Sequence, residues 1–201
     1  MPQARLRTRR LELVPLSDDH LEYEIELDSD VEVLRYLSPR PATPEEVHRS
    51  HAGRMQRARD VDGLGVWSGF VRDDGAAQFV GIWMLQPPHG PSQPFVPGEA
   101  DLGYRLLRRW WRQRLGTEGA RALMRHGFED LGLTRIFAQT MAVNRPSRAT
   151  LEALGLHFVR SFHEDYAEPV QGHEQGEVEY ELRRAEWVRL RRRDGGAGSP
   201  V

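Results

Sequence analysis

The sequence predicts an α/β fold, with one mixed sheet and helices packed against it. Three observations carry this expectation. Strand-like and helix-like segments interleave in the order β-αα-β-β-β-α-β-α-β-β. The chain has 201 residues, 39% of them hydrophobic, enough for one sizeable domain with its own core. No internal repeat is present, so a stacked-repeat architecture is not indicated.

Each element has a local reason. Residues 9–16, RRLELVPL, alternate Leu11, Leu13 and Pro15 with other positions and read as a strand. Residues 17–37 offer a Ser17 or Asp18 cap and then a helix. Residues 43–60 form a second helix, with Thr43 as cap, Pro44 in the first turn and Glu46 completing a capping box. Residues 66–71 and 78–85 are β-rich runs around the turn DDGAA, which predicts a hairpin. The Pro- and Gly-rich residues 87–99 are a loop, and ADLGYRLL (100–107) is a further strand. From Thr117, the positions Ala120, Leu123, Met124, Gly127, Phe128 and Leu131 carry the strongest helical period in the chain, and Gly132 ends it. Residues 134–143 read as an interior strand. Residues 144–155 read as a short helix with Asn144 as cap, Pro146 in the first turn and Gly155 as stop. Residues 156–162 and 178–187 close the sheet around an acidic loop. The whole reads as one domain over 1–188, followed by a basic, then Gly-rich flexible tail over 189–201.

Composition removes several chemistries. The chain has no cysteine, which excludes disulfides, Cys-ligated zinc and thiol nucleophiles. It has no lysine either, so all 28 cationic side chains are arginine. The net charge of −2 argues against a protein that lives on nucleic acid. No stretch approaches the roughly 20 apolar residues of a membrane span, and the N-terminus lacks a signal-peptide core. A cytoplasmic protein is the expectation.

The segment WWRQRLGTEGARAL (110–123) runs from two tryptophans and two arginines into the start of a helix. A helix N-terminus offers unpaired N–H groups and the positive end of the helix dipole, and anions bind there. Gly116 would let a ligand approach the backbone, and Arg112 and Arg114 would add charge-assisted hydrogen bonds. An ordinary helix start explains the same residues. The segment lacks the lysine of a phosphate-cradling loop and the three glycines of a dinucleotide fingerprint.

Residues 101–159, DLGYRLLRRWWRQRLGTEGARALMRHGFEDLGLTRIFAQTMAVNRPSRATLEALGLHFV, resemble the core of the GNAT superfamily of N-acetyltransferases. They are most similar to the branch of ribosomal-protein N-terminal acetyltransferases. The likeness extends over residues 5–188. It implies a GNAT-type sheet, mixed but largely antiparallel, flanked by helices. It also implies acetyl-CoA as cosubstrate, an amine acceptor and no metal. The family's diphosphate loop matches Arg112, Gln113, Arg114, Leu115, Gly116 and Thr117, but Arg112 and Arg114 replace two of its glycines. By the same resemblance Asn144 contacts the pantetheine arm and Ser147 lies near the cofactor sulfur. The main chain near Leu106 donates to the acetyl carbonyl where the sheet splays.

Acetyl transfer to an amine needs a base for the ammonium proton, a donor for the developing oxyanion and an acid for the leaving thiolate. Without cysteine an acetyl-cysteine intermediate is unavailable, so direct attack in a ternary complex is the expected route. Asp101 is the first candidate base, ahead of Glu99 and Glu164. Ser147 is the candidate acid, ahead of Tyr180. The loop around residues 87–97 and the helical region 18–60 should form the acceptor side. Glu45, Glu46, Asp60 and Asp62 there are either a cation-favouring face or solvated surface. The acceptor is a peptide N-terminus or a small amine, and the resemblance is compatible with a homodimer, since related proteins are often dimers. The alternative is a GNAT-fold binding module that has lost catalysis along with the two glycines. A nucleic-acid reading of RLLRRWWRQR, a metal site at His48 and His51, and a serine hydrolase are each disfavoured.

Overall fold

The computed structural model describes residues 2–72, 76–90, 92–165 and 168–196. Eight strands form one sheet: β1 (Leu6–Arg7), β2 (Leu11–Pro15), β3 (Gly65–Arg72), β4 (Ala77–Gln86), β5 (Glu99–Leu106), β6 (Arg135–Met141), β7 (His157–Phe162) and β8 (Glu177–Arg183). Their order is β1-β2-β3-β4-β5-β6-β8-β7. Every neighbouring pair is antiparallel except β5 with β6. The helices are α1 (Leu21–Ser29), α2 (Val31–Leu34), α3 (Pro44–Asp60), α4 (Leu115–Arg125), α5 (Arg145–Ala153) and α6 (Arg184–Gly196). This is the mixed, largely antiparallel α/β sheet the sequence predicts.

Strand alternation sorts the two faces. Trp83 and Leu85 of β4, Leu102 and Leu106 of β5, Ile136 and Ala138 of β6, and Val178 and Tyr180 of β8 join the larger core with Leu123, Met124 and Phe128. On the opposite face Leu27, Val66, Phe79 and Ile82 pack with Met55 and Met84 beneath α1 and α3. The same alternation turns Asp101, Gly103 and Arg105 toward the α1–α3 side, where Arg105 meets Asp28 of α1. No described helix is long and apolar enough to cross a membrane.

Several elements differ from expectation. β1, at Leu6–Arg7, precedes the first strand expected at residues 9–16 and makes the strands eight rather than seven. The helix over 17–37 is broken, because Asp30 takes an extended backbone and its carboxylate accepts from the Glu32 N–H at 2.9 Å, starting α2 afresh. The final strand ends at Arg183 rather than at residue 187. There Glu186 accepts from the Arg183 N–H, and α6 then brings Trp187 into the core, 5.5 Å from Phe128 between ring centroids. That helix continues to Gly196, where a tail from 189 was expected; residues 197–201 lie outside the described residues. The hairpin turn of β3 and β4 likewise includes 73–75, outside the described residues. A π-helical turn, His126–Asp130, follows α4 before the expected stop at Gly132, whose φ is 71°.

Candidate functional site

The single parallel junction in the sheet creates the site. β5 and β6 pair only as Glu99 with Arg135, Ala100 with Ile136 and Asp101 with Phe137. Beyond Asp101, β5 continues on β4 as far as Leu106, while β6 continues on β8 as far as Met141. The two strands therefore part. The closed end is fixed by Gly98, whose φ of 83° turns its carbonyl to accept from the Thr134 N–H at 2.8 Å. Along the chain α4 is the next α-helix after β5, across residues 107–114, and α5 the next after β6, across residues 142–144.

At α4, Arg112 and Arg114 have φ of 59° and 60°, the only described non-glycine residues in the left-handed region. Such a backbone costs an L-residue about 1–2 kcal/mol. The arginines thus keep the left-handed corners that glycine favours, and the replacement of two glycines leaves a glycine-like path. The turn is held from behind. Trp111 Nε1 donates to the Leu106 carbonyl at 2.7 Å, and Gln113 donates to the Arg109 carbonyl at 3.1 Å. Among the described residues no side chain caps α4 or α1, whereas Asp30, Thr43 and Asn144 cap α2, α3 and α5. The first N–H groups of α4, from Leu115 to Thr117, are accordingly free to meet a ligand. Leu115 is buried in the core, and Arg112, Gln113 and Arg114 are exposed. Gly116 has a packing reason the sequence did not show: a Cβ there would sit 3.1 Å from the Tyr104 ring. Its carbonyl accepts from Trp83 Nε1 at 3.1 Å, and the same indole fills the space above Gly119.

Asn144 caps α5 by accepting from the Ser147 N–H at 3.3 Å and donates to Thr140 at 3.1 Å. Its backbone role thus coexists with a position at the mouth of the parted strands. Ser147 lies half-buried in the first turn of α5. Tyr104, unremarked in the sequence, reaches it from β5. Burial pushes the Tyr104 phenol up, opposed by hydrogen bonds with Thr150 and Ser147. The only sequence signal was its place in the strand alternation, toward the α4–α5 face. Tyr180 is buried and committed elsewhere, donating to Glu152 at 3.0 Å and accepting from Arg148 at 3.1 Å.

Asp101 sits where the strands begin to part, facing the α1–α3 side. Burial raises its carboxyl to about 6, with the nearby Glu179 adding to the rise; a hydrogen bond from Gln93 and the proximity of His89 oppose it. Gln93 Nε2 donates to Asp101 Oδ2 at 3.1 Å. Glu99 is not free, because it pairs with Arg135 at 2.7 Å. Arg135 also binds Glu179 and Glu181, each at 2.5 Å. Glu164 lies near Glu177, whose buried carboxyl it helps to raise, so the carboxylate facing Asp101 is Glu179. Neither Gln93 nor Glu179 stood out in the sequence.

Beside this face, a buried ionic chain links β5 to the helices. Arg105 pairs with Asp28 at 2.7 Å, Arg54 reaches both Asp28 and the fully buried Glu24, and Glu24 meets His51 Nδ1 at 2.5 Å. His51 Nε2 faces Asp18 at 3.1 Å. Among the described residues no group of three His, Asp or Glu side chains forms a metal site. The arginine- and tryptophan-rich stretch serves the fold: Arg109 pairs with Glu26, and Trp110 Nε1 donates to the Phe79 carbonyl. Of the acidic residues at α3, Glu46 is engaged twice by Arg40.

An acetyltransferase (GNAT) domain matches residues 10–157. An Aspergillus fumigatus protein named FsC-acetyl coenzyme A-N(2)-transacetylase is 38% identical over 193 residues, covering 94% of this chain and 80% of its own. Among solved structures, spermidine N-acetyltransferase from Vibrio cholerae, in complex with CoA and spermine, aligns at a TM-score of 0.72 and 12% identity. It covers 90% of this chain and 99% of its own. The ribosomal L7/L12 alpha-N-protein acetyltransferase RimL, in complex with coenzyme A, aligns at 0.72 and 16% identity, covering 90% and 98%. At those identities the two structures speak to the fold.

Proposed function

For a chain that belongs to the GNAT acetyltransferase family and is an N-acetyltransferase, we propose a direct transfer of the acetyl group from acetyl-CoA to a small primary amine. The observation that carries this reading is the parting of β5 and β6 beside an uncapped α4. The N–H groups from Leu115 to Thr117 hold the diphosphate, with the guanidinium groups of Arg112 and Arg114 beside it. The left-handed backbone at both arginines supports this role, because strain of this kind persists where surrounding structure holds it for a purpose. Asn144 lies along the pantetheine arm, and the thioester lies between the parted strands.

Asp101 takes a proton from the acceptor ammonium, directly or through water. The freed amine nitrogen bonds to the thioester carbon, and the carbonyl electrons move onto oxygen. The main-chain N–H near Leu106, on the strand edge that β6 has left, donates to that oxyanion. As the tetrahedral centre collapses the C–S bond breaks, the Ser147 hydroxyl supplies a proton to the departing sulfur, and the second proton shed by the amine nitrogen as it becomes the amide returns through water to the Ser147 oxygen. The route needs no covalent enzyme intermediate, consistent with a chain without cysteine.

The N(2) amine in the name of the Aspergillus relative supports a small-molecule acceptor over the protein N-terminus favoured by a ribosomal-protein branch. The chain acts in the cytoplasm in this reading. The test is acetyl-CoA consumption against a panel of small primary amines, amino-acid α-amines and peptide N-termini. Turnover confined to peptide N-termini would transfer the assignment to the ribosomal-protein type. Absence of turnover and of acetyl-CoA binding would refute the proposal.

A further inference from the structure

Gln93 lies in the loop between β4 and β5, and every hydrogen-bonding capacity of its amide is used. Its Oε1 accepts from the His89 and Gly90 backbone N–H groups, both at 3.1 Å. Its Nε2 donates to Asp101 Oδ2 at 3.1 Å and to Gln139 Oε1 at 2.8 Å. Two backbone donors at one end of the amide fix which end is oxygen, so the nitrogen must face the carboxylate. Gln139 continues the polarity, donating to Glu179 at 3.0 Å, and Glu179 is bound in turn by Arg135 and Arg160.

Resting on the reading of Asp101 as base, we propose that Gln93 is a positioning residue for the transfer: its carbonyl end is fastened to the loop, and its amide end orients the Asp101 carboxylate toward the acceptor amine. The donated N–H occupies Oδ2 and leaves Oδ1 to receive the proton. It also favours the charged form of a carboxylate that burial disfavours. The groups around Asp101 are Gln86 from β4, directly opposite in register, His89 and Gln93 from the loop, Gln139 from β6 and Glu179 from β8. Of these, Gln93 supplies the N–H that Asp101 is seen to accept. The same arrangement gives the loop its place.

The test is the pH dependence of kcat/KM, whose acidic limb reports the base in the free enzyme, for wild type, Gln93→Glu and Gln93→Leu. In Gln93→Glu the carboxylate still accepts from His89 and Gly90 but places a like charge beside Asp101 instead of a donor. The acidic limb should move up by about one unit, a fall of about tenfold below it. In Gln93→Leu the limb should move up by less, and KM should rise as the loop loses its fastening. Acetyl-CoA affinity, measured by calorimetry on the same preparations, should stay at wild-type strength, since α4 is untouched. Should Gln93→Leu fail to fold, Gln93→Glu still decides. Acidic limbs that coincide with wild type, with KM alone altered, would reduce Gln93 to loop packing and overturn the proposal. Asp101→Asn separates the two readings. Wild-type turnover in that variant removes the base itself, whereas loss of turnover with unmoved Gln93 limbs removes only this inference.

Discussion

Replacing Asp101 with Asn should make the protein more stable and nearly inactive, and both effects come from the same buried charge. In the fold the carboxyl is raised from 3.8 to about 6 by burial. The folded state therefore binds this proton more tightly than the unfolded chain does. The stability this contributes is fully present below pH 3.8 and is lost as pH rises through about 6. A rise of roughly two units corresponds to a ceiling of about 3 kcal/mol at pH 7 to 8. Asparagine keeps the shape and an oxygen able to accept from Gln93, yet carries no charge. The variant should thus exceed wild type by up to about 3 kcal/mol at pH 8 and match it near pH 3.8, a Tm gain of several degrees that disappears on acidification. Thermal unfolding across pH 4–8, run beside an acetyl-CoA turnover assay, reads both quantities. Wild-type kcat/KM should fall as pH drops through about 6, because only the ionised carboxylate accepts the ammonium proton. A variant no more stable at pH 8 than at pH 4, relative to wild type, would contradict the buried-charge argument. A variant with wild-type turnover would remove Asp101 from the chemistry.

Other substitutions test the remaining parts. Arg114→Gly relieves about 1–2 kcal/mol of left-handed strain against about 0.5–1 kcal/mol of added chain entropy. Stability should therefore rise by no more than about 1.5 kcal/mol while acetyl-CoA affinity falls; tighter binding by calorimetry would mean that the arginine obstructs the loop. Gly119→Ala places a Cβ 2.4 Å from the Trp83 indole, which is fully buried, and should cost about 1–3 kcal/mol in chemical denaturation. An unchanged midpoint would show that the indole can move. Glu24→Ala leaves Arg54 with only the more distant Asp28 and His51 with only the exposed Asp18, and should cost about 3 kcal/mol; a loss below 1 kcal/mol would mark the ionic chain as dispensable.

Local chemistry made the α4 region readable. A helix start at the end of WWRQRLG, set by the fold at Leu115, the period through Leu123 and Phe128, and the caps at Thr43 and Asn144 are short-range patterns, and all appear in the fold. Asp101 was visible as an acidic residue on a strand bordering the expected splay. What stayed hidden depends on contacts between distant segments. The amide of Gln93 meets Gln139, 46 positions away, so no spacing marks it. Tyr104 gains meaning only when α4 and α5 converge on it. The conformation of Arg112 and Arg114 runs against residue preference and is imposed by the turn behind them. The helix after Arg183 was masked by its continuity with β-rich VEYEL, and the demand that settles it is the burial of Trp187 against Phe128.

The most direct measurement is the crystal structure of this chain with coenzyme A. The account predicts the diphosphate on the N–H groups of Leu115 to Thr117, guanidinium groups of Arg112 and Arg114 beside it, and the sulfur between β5 and β6 within reach of Ser147. Density for the diphosphate at any other surface, or β5 and β6 closed on each other with the sulfur outside, would contradict it.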